Sequence, residues 1–137
     1  MVQEFNTRII DEFGANAGKV GGPFEGAPML LLTTTGARSG RPHTTPLVPL
    51  VDGGQVFMFA SMGGAPSHPA WYHNLVANPS VTVEQGTATY PAKAEVVLGA
   101  ERDAVFAKQA ALRPPFAEYQ RRTTRTIPVV RLRPQAP

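Results

Sequence analysis

The sequence contains no cysteine. Disulfides, thiolate catalysis and cysteine-ligated zinc or iron–sulfur sites are excluded with it. Histidine is scarce: His43, His68 and His73 form no HxH or HxxxH spacing, so no metal is expected. No apolar run approaches the roughly 18 residues of a membrane-spanning helix. The opening MVQEFNTRIIDEF carries acids and has no apolar h-region, so it does not read as a signal peptide. The expected location is the cytoplasm, with the inner face of the cell membrane as a peripheral alternative. Lysine is rare beside arginine, with no lysine-rich tail and no aromatic–basic alternation, so nucleic acid is not an expected partner. No Walker motif, dinucleotide fingerprint or nucleophile elbow occurs, and no carboxylate pair stands out as an acid and a base.

What remains is a chain of 137 residues, formal charge +3 and pI near 9.7. Its length fits a single domain over 1–137 with a core of its own. Much of the arginine lies late, at Arg113, Arg121, Arg122, Arg125, Arg131 and Arg133. Arginine matches carboxylates and phosphates through its planar fork, so a small anionic ligand is one reading of this cluster.

Residues 2–14 have Phe5, Ile9, Ile10 and Phe13 at helical spacing. This helix has no basic face, so it is expected to pack on the body, with weak or no membrane-surface association. Residues 15–28 are rich in Gly and Pro and read as a loop. Strands are expected at 29–35, 43–51 and 55–61, with DGG at 52–54 as a hairpin turn. The third of these strands is apolar enough to be buried on both faces. MGGAPSHP (62–69) reads as irregular, and AWYHNLVA (70–77) as a helix opened by Pro69. Strands follow at 80–85 and 87–97, helices at 99–113 and 114–123, and a last strand at 126–134. The first of those helices has acids near its start and bases near its end, and Pro128 suggests an edge or a strand start. Hairpins dominate this order, so the fold class is α+β: a small, mostly antiparallel barrel with packed helices.

Two stretches carry chemistry. GARSGRPHTTPL places Arg38, Ser39, Arg41, His43, Thr44 and Thr45 in one turn, where Gly36 and Gly40 let the backbone expose its N–H groups. An anion cradle and a solvated hairpin fit these residues equally well. ASMGGAPSHPAWYHNL runs from a strand through Ser61 and a Gly-Gly loop into a helix start, which favours a ligand's negative charge. Trp71, the lone tryptophan, suits either the wall of a flat ligand or the core. The histidines suit surface or supporting roles.

Taken together, LLLTTTGARSGRPHTTPL, ASMGGAPSHPAWYHNLVANPSVTVE, GAERD and YQRRTTRTIPVVRL resemble the deazaflavin-dependent nitroreductases of actinobacteria. The resemblance runs from about Phe5 to Pro134. It implies a split β-barrel of the FMN-binding, pyridoxamine-phosphate-oxidase-like group. It also implies coenzyme F420, whose reduced deazaflavin gives a hydride to a quinone or a nitroaromatic compound. FMN on the same barrel, or F420 binding without catalysis, are the alternatives. By resemblance Ala37, Arg38 and Ser39 contact the anionic cofactor tail, with Arg41 as an addition. The strand His43, Thr44, Thr45, Pro46, Leu47, Val48 lies along the cofactor. Phe59, Ala60, Ser61, Met62, Gly63 and Gly64 surround the ring, and Ala70, Trp71, Tyr72, His73 and Asn74 close the site. Phe116 and Tyr119 are the implied catalytic-pocket residues on the acceptor side, with Phe116 also against the cofactor. The sequence departs from the family at Ala37, usually basic, and at Met62, where a member has lysine. Arg113, Phe116 and Tyr119 stand where a nitroimidazole-activating member has tyrosines. The resemblance leaves the oligomeric state open.

Overall fold

The computed structural model of the protein describes residue 10 and residues 29–135. Ile10 is helical, and the rest of the expected 2–14 helix and the 15–28 loop lie outside the described residues. In chain order the elements are β1 (Leu30–Thr35), β2 (Pro42–Leu47), β3 (Leu50–Asp52), β4 (Gln55–Phe59), a 3-10 turn (Met62–Gly64) and α1 (Ala70–Ala77). They continue with β5 (Ser80–Gln85), β6 (Ala88–Val97), α2 (Gly99–Leu112), α3 (Pro115–Arg121) and β7 (Val129–Pro134).

All seven strands form one sheet in the order β2-β1-β5-β6-β7-β4-β3, and every pair is antiparallel. The consecutive strands β2 and β3 therefore sit at opposite edges, joined only by Val48 and Pro49. Six strand spacings laid flat would separate those edges by about 29 Å. Three Cα steps reach about 11 Å at most. The sheet must curl until its edges meet, which makes it a barrel split between β2 and β3. The expected strand over 43–51 is thus two strands. Pro49 has no N–H for a ladder and is fully buried at the crossing.

Two cores follow from the alternation of side chains. Leu30, Leu32, Val56, Met58, Val81, Val83, Ala92, Ala94, Val130 and Leu132 fill the barrel, and Trp71 and Leu75 of α1 plug it. On the outer face Leu50, Phe57, Phe59, Val97, Ile127 and Val129 pack against Val105 and Phe106 of α2, with Phe116 and Tyr119 of α3 at the margin. β4 is buried on both faces, as its apolar run predicts. Fully burying one such side chain contributes about 1.5–3 kcal/mol.

The hairpins turn where glycine supplies positive φ: Gly53 (59°) and Gly54 (78°) link β3 to β4. Pro128 precedes a central strand, so the strand-start alternative holds and the edge alternative does not. The last turn of α2 holds no base, because Arg113 lies just past its end, where Pro114 stops the helix. Arg102 of α2 ties this end of the molecule together. Its Nε and Nη2 donate to the carbonyl of buried Ile127 (3.1 and 2.8 Å), and Nη2 also donates to Gln120 Oε1 (2.9 Å).

Arg102→Ala is expected to destabilise the fold by about 1–3 kcal/mol, because it strands a buried carbonyl. Asp103→Ala removes only an ion pair whose carboxylate is 74% exposed, and is expected to leave the urea midpoint nearly unchanged.

Candidate functional site

The β1–β2 turn closes on itself. Gly36 N–H donates to the Arg41 carbonyl (2.8 Å) and Gly40 N–H to the Gly36 carbonyl (3.0 Å). Gly40 has φ +68°, and a side chain at Gly36 would collide with Ser39 Oγ and with His43. The Ser39 hydroxyl is used inside the turn: it accepts from Arg41 N–H (3.2 Å) and bonds His43 Nε2 (3.3 Å). Arg38 and Arg41 are exposed, and no ion pair among the described residues uses either.

Helix α1 is brought to this turn by Asn74. Its Oδ1 accepts from Ala37 N–H (2.9 Å) and its Nδ2 donates to Thr34 Oγ1 (3.2 Å), a hydroxyl buried at the end of β1. The helix forms because Pro69 fixes the entry and Trp71 and Leu75 bury one stripe, and it stops before Pro79. Between turn and helix lies an open groove of about 1080 Å³. Ala37, Arg38 and Ser39 line it from the turn, and His43, Thr44 and Thr45 from β2. Ala70, Trp71, His73 and Asn74 line it from α1. Gly36, singled out for the turn's backbone, and Pro42 and Ile10, which the sequence did not single out as site residues, complete the wall. No carboxylate lines the groove among the described residues. Trp71 resolves its two alternatives by doing both: it is 5% exposed in the barrel core and still forms part of the wall.

The remaining expected site residues lie elsewhere. Arg41, Pro46, Leu47, Val48 and Tyr72 do not line the groove, nor does the segment Phe59 to Gly64. That segment meets α3 instead. Phe59 packs edge-on to Phe116 (5.6 Å between centroids), and Phe116 on Tyr119 (5.3 Å). Gly64 abuts the Tyr119 backbone. The stretch expected to be irregular contains a 3-10 turn at Met62–Gly64, with φ of +46°, +64° and +83° in succession.

Arg125 holds this loop. Its Nη1 donates to the Ala60 carbonyl (3.0 Å), Nη2 to the Ser61 carbonyl (2.7 Å) and Nε to the Ala65 carbonyl (2.9 Å). Nη1 also donates to His68 Nδ1 (2.9 Å), which must be the unprotonated nitrogen because arginine has no acceptor. Burial, the Arg125 charge and the nearby His73 all push the His68 pKa below 6.5. The anion reading of the late arginines is therefore corrected for most of them. Arg121 pairs with Glu118, Arg131 with Glu95 and Glu101, and Arg133 with Glu95. The hydrogen bonds from Arg133 and Arg131 hold the Glu95 carboxyl below its usual range. Arg125 spends its fork on main-chain carbonyls some sixty positions away, a role with no signature in a sequence.

A sequence model of the F420H(2)-dependent quinone reductase family matches residues 6–134. An F420H(2)-dependent quinone reductase of Mycobacterium tuberculosis (strain ATCC 25618 / H37Rv) is 40% identical over 119 residues, 82% of this chain and 78% of its own. The structure of an F420-H2 dependent reductase (FDR-A) superposes with a TM-score of 0.70 at 42% identity, over 77% of this chain and 93% of that one. A solved chain described as a domain-swapped dimer gives 0.72 at 40% identity, over 96% of both.

Two outcomes test the loop. Gly63→Ala places a methyl in open space at φ +64° and is expected to cost about 1–2 kcal/mol. Gly64→Ala puts one 2.6 Å from the Tyr119 carbonyl oxygen, and urea melts should show it losing about 1–3 kcal/mol more. For His68 the folded pKa is below the unfolded one, so the unfolded chain binds the extra proton as pH falls. Stability attached to neutral His68 is present above 6.5, starts to fall there and is lost once pH passes the folded value. Melting temperature should therefore drop more steeply with acid in the parent protein than in His68→Gln.

Proposed function

The chain belongs to the F420H(2)-dependent quinone reductase family, and from that premise we propose that it is an oxidoreductase carrying a hydride from reduced F420 to a quinone. The observation that carries this reading is the groove. It joins the exposed Arg38, turn amides and a helix start, with no carboxylate among its described lining residues, and Arg41 stands exposed on the same turn just outside it. That donor set fits an anionic cofactor tail. Its volume, about 1080 Å³, suits a ligand at or beyond the upper end of ordinary small-molecule pockets.

Arg38 and Arg41 would hold the tail as exposed cations, with Asn74 fixing the turn from which they project. Thr44 and Thr45 offer hydroxyls along β2, where Thr44 already bonds Thr33 (2.7 Å). Trp71 presents an indole that the core holds rigid. Gly63 has nothing within 4 Å of a would-be Cβ, so its backbone is open to a flat ring. Reduced F420, when bound, supplies the hydride and so the difficult chemistry. The protein's part is to orient the cofactor and the acceptor, a task that needs no acid–base dyad. Phe116 and Tyr119, beside the Gly64 loop, are the residues we assign to the acceptor side. No helix among the described residues is long and apolar enough to cross a membrane.

Fluorescence titration with F420, with FMN in parallel, tests the reading. Saturable F420 binding is expected, weakened about tenfold by Arg38→Ala or by Arg41→Ala and weakened further by salt. Binding of FMN alone, or of neither, would overturn it.

A further inference from the structure

Arg125 does more than brace a loop, because a trans peptide links the two sides of a backbone. In each peptide unit the N–H points opposite to the C=O. Arg125 draws the carbonyls of Ala60 and Ser61 to one side through Nη1 (3.0 Å) and Nη2 (2.7 Å). The N–H groups in those same two units belong to Ser61 and Met62, and they must point to the other side. Among the hydrogen bonds between described residues, neither has an acceptor, whereas the next amides are used: Gly64 N–H bonds the Ser61 carbonyl (2.9 Å) and Ala65 N–H the Met62 carbonyl (3.1 Å). The local conformation strengthens the pattern. Ser61 is right-handed helical (φ −78°) and Met62 left-handed (φ +46°). A right-then-left pair makes successive N–H groups converge on one concavity that takes an anionic or carbonyl oxygen. A non-glycine residue at positive φ is costly, and Met62 is 56% exposed, so packing of its side chain does not hold it there. The three carbonyl contacts of one planar guanidinium do.

We propose that Arg125 is a positioning residue, whose hold on the Ala60 and Ser61 carbonyls presents the Ser61 and Met62 N–H groups as a paired donor for an electron-rich oxygen of the flat ligand ring. This rests on the functional reading above, and it adds a division of labour to it. Arg38 and Arg41 serve the tail, and Arg125 serves the ring without touching it. A lysine could not replace it, since a single ammonium cannot span three carbonyls in fixed directions.

The test compares two ligands, intact F420 and its ring-and-ribityl fragment lacking phosphate and glutamates, by fluorescence titration. Arg125→Lys is expected to weaken both by the same factor, about tenfold, whereas Arg38→Ala weakens intact F420 alone. Added methylguanidinium is expected to restore ring affinity to Arg125→Ala, a rescue that a general loss of stability would not allow. Circular dichroism of each variant confirms that the fold persists, and Arg121→Ala, on the exposed side of α3, is the control. Ring affinity in Arg125→Lys equal to that control overturns the proposal alone. Parent protein that binds neither ligand overturns the functional reading and this inference with it.

Discussion

Everything in this molecule depends on the short link at Val48–Pro49. It forces two edge strands of a seven-stranded sheet together, and the sheet can satisfy it only by curling. Curling creates an interior, which the alternating faces of β1, β4, β5, β6 and β7 fill. It also brings β1 close to β4, which a flat sheet would separate by three strands. Helix α1 exploits this. It leaves the loop after β4 on one flank of the seam and is bonded through Asn74 to the end of β1 on the other. The groove sits where that bridge meets the turn, so the groove is a consequence of closure.

The second constraint is where the positive charge is committed. A pI near 9.7 suggests a surface waiting for anions, yet most of the late guanidiniums are structural. Arg102 and Arg125 satisfy carbonyls that the irregular segments leave without sheet partners. Arg131, itself only 6% exposed, pairs with two carboxylates and lies over the Phe57 ring (5.3 Å). Buried donors of this kind are expensive to leave unmatched, so the Arg131 Nη groups have their partners fixed by the fold, while its buried Nε has no partner among the described residues. Among the described residues Arg38 and Arg41, neither in an ion pair, stand together at a turn where glycines hold the chain in a tight, exposed bend.

These facts set what a reader of the sequence could see. Helix 70–77 was legible because its start, its buried stripe and its stop all have local causes. Double burial of β4 was legible in an unbroken apolar run. The turn at 36–41 was legible as a turn because its glycines interrupt two strand-like runs, while its residues alone fitted an anion cradle and a solvated hairpin equally well; the groove lies on it. The split of 43–51 was not, since PLVPLV reads as one apolar strand until the opposite edges are known. Arg125 was misread for a similar reason. Its partners are backbone carbonyls, which every residue has, so no pattern of side chains could name them.

On the proposed assignment of the ring to the loop that Arg125 holds, a reductase of this kind can manage without a catalytic dyad. Three successive left-handed residues would leave a free loop highly mobile, and mobility is ill suited to placing a ring for transfer over a short distance. One guanidinium supplies several hydrogen bonds from a single, pre-shaped group, so less side-chain entropy is lost per bond than with separate residues. The loop gains rigidity while its glycine backbone stays bare. Precision and access, which compete in most loops, are here assigned to opposite faces of the same peptides, and a cofactor that brings its own chemistry requires little else of the protein.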